Sequence, residues 1–264
     1  MPFKILYTAD LHGNINFYSK LIKKANEQQI RAVVLGGDLL PRGHGTIEDS
    51  VKAQREFLED FFVPQLKRLK KDVFVIMGND DFRINEQILM HQKDNIHYIN
   101  NVREKIFSKN IVGYSFVNPT PFRLKDWEKF EDEEQEAPRQ LSDEVIRTIE
   151  TSEGTIKEDL NGFVKLSNPK KTIYVIHAPP FNTKLDIIAD GTHVGSKALR
   201  EFIEKQQPFL TLHGHIHESP RISGSFVDRI GKTICINVGS SYPDLKLNCI
   251  VIDISNFDTK YLEL

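Results

Sequence analysis

Short apolar runs along the chain are each followed directly by a turn that carries aspartate, asparagine or histidine. Phe3–Thr8 leads into Asp10-Leu11-His12-Gly13, and Ala32–Leu35 leads into Gly36-Gly37-Asp38. Between these two runs lies a stretch whose apolar residues recur at helical spacing. Continuous apolar strands that alternate with helices predict an α/β layered fold built on buried strands.

The same arrangement, an apolar run followed by a polar turn, recurs further along the sequence. Val73–Met77 ends in Gly78-Asn79-Asp80-Asp81, and Thr172–Ile176 ends in His177. A later strand ends in the run His213-Gly214-His215-Ile216-His217. The remaining predicted elements are the helix Ser196–Lys205 and the strands Phe209–Leu212, Thr233–Asn237 and Asn248–Ile254.

Residues 118–170 interrupt this pattern. Asp126–Glu136 is strongly acidic, and Leu141–Ile149 is predicted as a helix. We interpret the region as an excursion from a single domain that spans residues 1–264. It would be either a flap over a crevice at the polar ends of the strands or a solvated surface loop. Phe122 and Trp127 would then line the crevice or pack the excursion, and packing is the more common role of such side chains.

Composition narrows the classes of function. The 264 residues carry a formal net charge of −2, which disfavours a nucleic-acid substrate without excluding it. We find neither a secretory signal nor the ~20 consecutive apolar residues that span a bilayer, and therefore expect a cytoplasmic protein with no membrane contact. Cys235 and Cys249 lie in β-branched apolar runs and are predicted to be buried thiols.

Polar side chains at the carboxyl ends of strands in open α/β sheets meet in one crevice. Seven side chains in this sequence fit that placement and can bind metals: Asp10, His12, Asp38, Asn79, His177, His215 and His217. Carboxylate, imidazole and amide oxygen suit Mn, Fe or Zn. Seven ligands are too many for one tetrahedral site, but they suit two divalent ions that share a carboxylate and act together in phosphoryl transfer.

The motif series resembles that of the calcineurin-like metallophosphoesterase superfamily, in the same order and over almost the whole chain. The resemblance implies a four-layer β-sandwich flanked by helices, with a dinuclear metal centre at one edge. It implies that Asp38 bridges two ions, and it divides the other ligands into Asp10, His12 and His217 on one ion, and Asn79, His177 and His215 on the other. The stretches that begin at His177 and His193 resemble a bacterial and archaeal branch of uncharacterised members.

Three further residues have open roles. Many members of the family carry a histidine after the asparagine, where this sequence has Asp80, which is either a substitute acid or a turn residue that faces away. Arg42 has the spacing of a phosphate-binding arginine in the related protein Ser/Thr phosphatases, and is otherwise an exposed loop residue. His193 lines the crevice or lies on the surface, while His213 is predicted to be structural.

The resemblance implies hydrolysis of a small phosphate ester, with Asn79, Asp80 and His177 as catalytic residues and Arg42 and His193 as substrate-binding residues. We expect a phosphodiester, such as a cyclic or small nucleotide, attacked by a hydroxide that bridges two metal ions, manganese being a candidate. A protein phosphatase is an alternative that Arg42 favours and Asp80 disfavours. A non-catalytic protein-binding scaffold is another, which the complete set of seven ligands disfavours.

Overall fold

The computed structural model describes residues 3–43, 45–136, 138–150, 153–241 and 244–264, and arranges its strands in two six-stranded sheets. The strands are β1 (Lys4–Thr8), β2 (Ile30–Gly36), β3 (Asp72–Ile76), β4 (Ile96–Tyr98), β5 (Arg103–Ile106), β6 (Lys109–Tyr114), β7 (Thr172–Ile176), β8 (Leu210–His213), β9 (Val227–Ile230), β10 (Thr233–Asn237), β11 (Asn248–Asp253) and β12 (Asp258–Glu263). The α-helices are α1 (Ile15–Ala25), α2 (Ile47–Glu56), α3 (Val63–Lys67), α4 (Glu86–Met90), α5 (Ile156–Leu166), α6 (Lys197–Gln206) and α7 (Ser219–Ser223). A π-helical segment, Phe57–Phe62, joins α2 to α3.

Parallel strands form the centre of each sheet. The first sheet has the order β12-β11-β1-β2-β3-β4, with β1 to β4 parallel and β11 antiparallel to β1. The second has the order β5-β6-β7-β8-β10-β9, with antiparallel pairs only at its two edges. The parallel strands of each sheet therefore end at one edge, which is where a shared site can form.

Alternation along the strands separates two apolar layers. Ile5 and Tyr7 of β1 pack in a buried cluster with Val175 of β7, between the sheets. Leu6, which points to the opposite face, packs in the cluster that contains Phe17 of α1. The result is a helix–sheet–sheet–helix sandwich, and the predicted α/β four-layer class is confirmed. Cysteines 235 and 249 are buried and free, as predicted.

The strand and helix predictions agree closely with the structure outside the excursion. Strands β7 and β10 have the predicted bounds, and α6 is displaced by one residue because Ser196 is its N-cap, accepting a hydrogen bond from the backbone N–H of Leu199. The helix predicted over Leu141–Ile149 is wrong. That stretch consists of bends, with a single bridge between Leu124 and Ile146.

The predicted excursion is also too long. Helix α5 lies within residues 118–170, but its Ile156, Leu160 and Phe163 are buried in the helix-facing apolar layer. The part of the excursion that the structure describes without an α-helix or a ladder strand is residues 118–136 and 138–150, which we call the excursion segment.

The acidic stretch Asp126–Glu136 is buried at residues 126–129 and at Glu131, so a wholly solvated loop is wrong. Trp127 is fully buried and its Nε1–H donates to the carbonyl of Asp81 at 2.9 Å. The side chains of Lys125 and Glu128 are each 6% exposed and form an ion pair with an Nζ–Oε2 distance of 3.0 Å. Buried charges need such partners, because desolvation would otherwise make their burial unfavourable.

Candidate metal centre

The turns that follow five parallel strands meet at one edge of the sandwich. The side chains at this edge are Asp10 and His12 after β1, Asp38 after β2, Asn79 after β3, His177 after β7, and His215 and His217 after β8. The two sheets are joined there by a hydrogen bond from the hydroxyl of Tyr7 to the carbonyl of His213, at 2.7 Å. Residues from both sheets are thus brought to a single crevice.

Within this edge, two groups of side chains have the spacing of metal ligands. The first contains Asp10, His12, Asp38 and His217, and the second contains Asp38, His177 and His215. Within each group, one potential ligand atom per residue lies within 4.8 Å of every other. Asp38 belongs to both groups, which is the arrangement that the family resemblance implies for a bridging carboxylate.

Individual distances show how tightly the groups pack. His217 Nε2 lies 3.4 Å from Asp10 Oδ1 and 3.3 Å from His12 Nε2. His177 Nε2 lies 3.3 Å from Asp38 Oδ2 and 3.2 Å from the amide oxygen of Asn79. Asn79 is therefore placed beside the second group and can supply an amide oxygen.

The donor atoms fit two divalent cations. Asp10 Oδ2 is buried and has no hydrogen-bond partner among the described residues, an arrangement that is unfavourable unless a cation satisfies it. The mixture of carboxylate, imidazole and amide oxygen suits Mn, Fe or Zn. Two such ions would supply Lewis acidity at the phosphorus and activate water for attack.

The backbone of the ligand turns is held in an uncommon conformation. Asp10, His12, Asp38 and His215 all have positive φ, between 43° and 67°. Non-glycine residues rarely adopt this left-handed region, and such strained positions cluster at functional sites. Gly78 permits the close approach of the turns, because a Cβ there would lie 2.3 Å from Asp38 Oδ1.

The ligand protonation states are set by burial and by charge. Burial lowers the pKa of His12 to about 4 and that of His215 to about 3. Burial also acts to lower the pKa of His177, but the carboxylates of Asp38 and Asp10 outweigh it and raise that pKa to about 10. Burial disfavours the charged form of Asp38, yet His177 and His12 hold its pKa below the usual range. Most ligands are therefore in the form that binds cations, and His177 must release a proton to do so.

A family model described as calcineurin-like phosphoesterase matches residues 3–219, a range that contains every ligand turn described above. The chain belongs to this family. The resemblance seen in the sequence is confirmed, and the protein is a metallophosphoesterase, a hydrolase of phosphoric esters.

Similarity to individual proteins agrees with the family. An uncharacterised protein of Methanocaldococcus jannaschii is 29% identical over 259 residues, which are 95% of each chain. The structure of TT1561 of Thermus thermophilus is 14% identical, with a TM-score of 0.64 and coverage of 100% of this chain and 99% of that one. A dimetal phosphatase from Danio rerio is 13% identical, with a TM-score of 0.64 and coverage of 100% and 96%. These two structures share the fold.

Asp80 of this phosphoesterase lies beside the metal centre and is partly exposed to solvent. Its Oδ2 lies 3.3 Å from Arg42 Nε and 3.6 Å from His12 Nδ1, and its side chain is 31% exposed. Its backbone N–H donates to Asp38 Oδ1 at 2.8 Å. Burial and the charge of Asp38 raise the pKa of Asp80 to about 6. The interpretation of Asp80 as a turn residue that faces away is therefore wrong.

Arg42 and His193 both line the crevice beside the metal centre. Arg42 is 52% exposed and approaches His12 Nε2 to 3.3 Å through Nη2. His193 is half-buried and donates its Nδ1–H to Asp186 Oδ1 at 2.8 Å, so it is not a loose surface histidine. Asp186 is fully buried and also accepts the backbone N–H of Gly195. Substrate binding by Arg42 and His193 stays a prediction.

Sequence reasoning missed Asp81, which holds two ligand turns together. Its buried carboxylate accepts the backbone N–H groups of Leu39, Leu40 and Gly78 at 2.9 to 3.2 Å. It therefore ties the turn after β2 to the turn after β3. The signal in the sequence was the second aspartate of Asn79-Asp80-Asp81, whose partners lie about 40 residues away along the chain.

His213 is structural, as its sequence context indicates. It is fully buried, and its Nδ1–H donates to the carbonyls of Ile176 and Ala178 at 2.9 Å. Its Nε2 then accepts from the hydroxyl of Thr211 at 2.8 Å. Both ring nitrogens are engaged away from the metal centre. Burial lowers the pKa of His213 to about 4, so the ring is neutral.

Proposed function

We propose that this phosphoesterase hydrolyses phosphodiesters of small size, such as cyclic or other small nucleotides. The observation that carries the proposal is the carboxylate of Asp80 at the position where many family members have a histidine. Asp80 lies beside the shared ligand Asp38 and faces the crevice.

Among the described residues, every helix is too short or too polar to span a bilayer.

Charge explains why a diester suits this site. A phosphate monoester carries close to two negative charges at neutral pH, whereas a diester carries one. A carboxylate at the mouth of the crevice repels the dianion more strongly, and one arginine, Arg42, offsets only part of that repulsion. A carboxylate beside divalent cations is also a poor proton donor, so the site favours esters whose leaving group needs little protonation.

The residues around the crevice would have separate roles in metal binding and in substrate binding. Asp10, His12, Asp38, Asn79, His177, His215 and His217 would hold the two ions. Arg42, which donates to Asp80 beside the metal centre, would donate hydrogen bonds to a non-bridging phosphate oxygen, because guanidinium matches the geometry of phosphate. His193, whose ring is oriented by a hydrogen bond to Asp186, lines the same crevice and would contact the substrate.

The first experiment is a substrate panel with the purified protein after reconstitution with Mn, Fe or Zn separately. It compares bis(4-nitrophenyl) phosphate with 4-nitrophenyl phosphate, and adds cyclic nucleotides and a phosphopeptide. We expect the diester to have the higher kcat/KM. A higher kcat/KM for the monoester or the phosphopeptide would contradict the proposal and favour a protein phosphatase, the alternative that Arg42 supports.

Substitution of Asp80 tests the charge argument directly. Asp80→His should raise the ratio of monoesterase to diesterase activity, because an imidazole removes the repulsion and can donate a proton. General acid help contributes ~10²–10⁴-fold, so a change of about tenfold in the ratio is well within reach. Asp80→Asn, which removes the charge without adding an acid, is the matched control and should give a smaller rise. Unchanged ratios in both variants would mean that Asp80 does not contact the substrate.

A further inference from the structure

A large cavity continues from the metal centre towards the excursion segment. It has a volume of about 960 Å³, and Asp38, Asn79, His215 and His217 line its inner end. Its lining also contains a group of apolar residues, which we call the outer wall: Ile47, Pro119, Pro121, Phe122, Leu124 and Phe181. Cavities of ~300–1,000 Å³ with such walls bind small organic molecules.

Two apolar side chains of this wall are left in water. Phe122, on the excursion segment, is 51% exposed, and Ile47, at the first turn of α2, is 37% exposed. They come from different parts of the chain, and both line the space in front of the metal centre. Exposed apolar side chains that converge on a cleft indicate a binding surface, because covering them removes unfavourable contact with water.

Glu131 and Lys197, two of the charged residues that line the cavity, are engaged within the protein. The carboxylate of Glu131 is occupied by hydrogen bonds from Ser196 Oγ at 2.9 Å and from the backbone N–H groups of Lys197 and Ala198 at 3.0 and 2.8 Å. Lys197 Nζ lies 5.3 Å from the centre of the Phe181 ring. Because the outer wall itself is apolar, a neutral, flat group fits against it better than a charged one.

We propose that the outer cavity binds an aromatic substituent of the phosphodiester, such as a nucleobase or an aryl group, and that Phe122 determines this specificity. The inference rests on the proposed function, since it assumes that the phosphate lies at the metal centre. The flat rings of phenylalanine and proline suit stacking and edge contacts with a planar group. Contact between one base and one aromatic side chain changes affinity by roughly 5- to 150-fold.

The test compares two monoanionic ligands that differ only in the group on phosphorus, methyl phenylphosphonate and methyl methylphosphonate. Their dissociation constants are measured by calorimetry on the Mn-loaded protein. We expect the phenyl compound to bind about tenfold more tightly, and we expect Phe122→Ala to reduce this ratio to below about threefold. Phe122→Trp, which keeps an aromatic ring, should preserve the ratio.

Phe130→Ala is the matched control. Phe130 lies on the same excursion segment and is 45% exposed, but it does not line the cavity. It should leave the ratio of the two dissociation constants unchanged, and thermal unfolding should show both alanine variants folded. A ratio near one in the parent protein, or a ratio that persists in Phe122→Ala, overturns the inference.

This experiment separates the two proposals. Tight, Phe122-dependent binding of the phenyl compound without any preference for diester hydrolysis would overturn the proposed function alone. Preference for diesters together with equal binding of both phosphonates would overturn the aromatic site alone.

Discussion

The ligand turns and the excursion segment lie on opposite sides of the same cavity, and they are built in different ways. Each ligand turn directly follows a buried strand, so the sheet fixes its position. The excursion segment belongs to neither sheet. Backbone hydrogen bonds tie it to Val117, just after β6, and buried side chains tie it to distant parts of the chain. Glu131, for example, accepts hydrogen bonds from residues 65 to 67 positions away. One side of the cavity is positioned by the sheet ladders, and the other by isolated backbone hydrogen bonds together with buried polar contacts.

The largest expected effect lies on the ligand side. Asp38→Ala removes the carboxylate that both ligand groups share, so metal analysis should show loss of both ions. Loss of several kcal/mol of Lewis-acid stabilisation corresponds to a fall of roughly 10³-fold in kcat/KM. Asp60→Ala, at an exposed position between α2 and α3, is the control and should keep both metals and full activity. Two equivalents of metal in a folded Asp38→Ala protein would refute the ligand assignment.

A smaller effect on the same side is expected from Gly78→Ala. The added Cβ would lie 2.3 Å from Asp38 Oδ1 and 2.7 Å from His177 Nε2, so the ligands must move apart. Displaced ligand geometry typically lowers metal affinity by ~10–100-fold, which competition with a chelator would measure. Gly162→Ala is the control, because a Cβ there meets no atom within 4 Å and α5 gains a better helix former. Equal metal affinity in the two variants would show that the turns can adjust.

On the excursion side, Glu131→Ala should affect stability and not metal content. The substitution leaves Ser196 Oγ and two N–H groups at the start of α6 without their acceptor. The free energy of unfolding should fall by about 2 kcal/mol, as measured by urea denaturation. The exposed Glu133 of the same segment provides the control, and Glu133→Ala should change stability by less than about 0.5 kcal/mol. Equal stability of the two variants would mean that Glu131 does not anchor the segment.

The smallest effect is expected for Arg123, which pairs with Glu144 across the excursion segment. The two side chains are 48% and 59% exposed, so water screens their attraction. A double-mutant cycle with Arg123→Ala and Glu144→Ala should give a coupling below about 0.5 kcal/mol. A coupling above about 1 kcal/mol would indicate that surface pairs, and not only buried contacts such as those of Glu131, hold the segment.

The difference between the ligand turns and the excursion segment also explains which features could be predicted from the sequence. The seven candidate ligands were found because each follows an apolar run, a pattern that is visible within a short stretch of sequence. Lys125, Glu128 and Glu131 lie in a region for which the sequence left both a flap and a solvated loop open, because hydropathy places charged residues in water. Their burial depends on partners that come together only in the folded chain, and no local pattern signals that. For the same reason Asp81 and Asp186 were missed.

The excursion segment also shows where a mixed pattern misleads. Leu141, Val145 and Ile149 have the spacing of a helix, yet they are 76%, 51% and 38% exposed and belong to no helix. A helix forms in a protein chiefly when its apolar face is buried, and no layer of the described chain covers these three side chains. Arg123 and Leu124 instead pair with the backbone around Ile146, which fixes an irregular conformation.

Because both sheets converge on one edge, the set of metal ligands is complete only when almost the whole chain has folded. His12 and His217 lie 205 residues apart, yet their imidazole nitrogens are 3.3 Å apart in the folded chain. A contact of such long sequence separation requires both sheets to be in place, because closing so long a loop carries an entropic cost. A nascent or partly folded chain therefore holds an incomplete set of ligands. Hydrolytic activity therefore requires the complete fold, and we expect a partly folded chain not to hydrolyse phosphate esters.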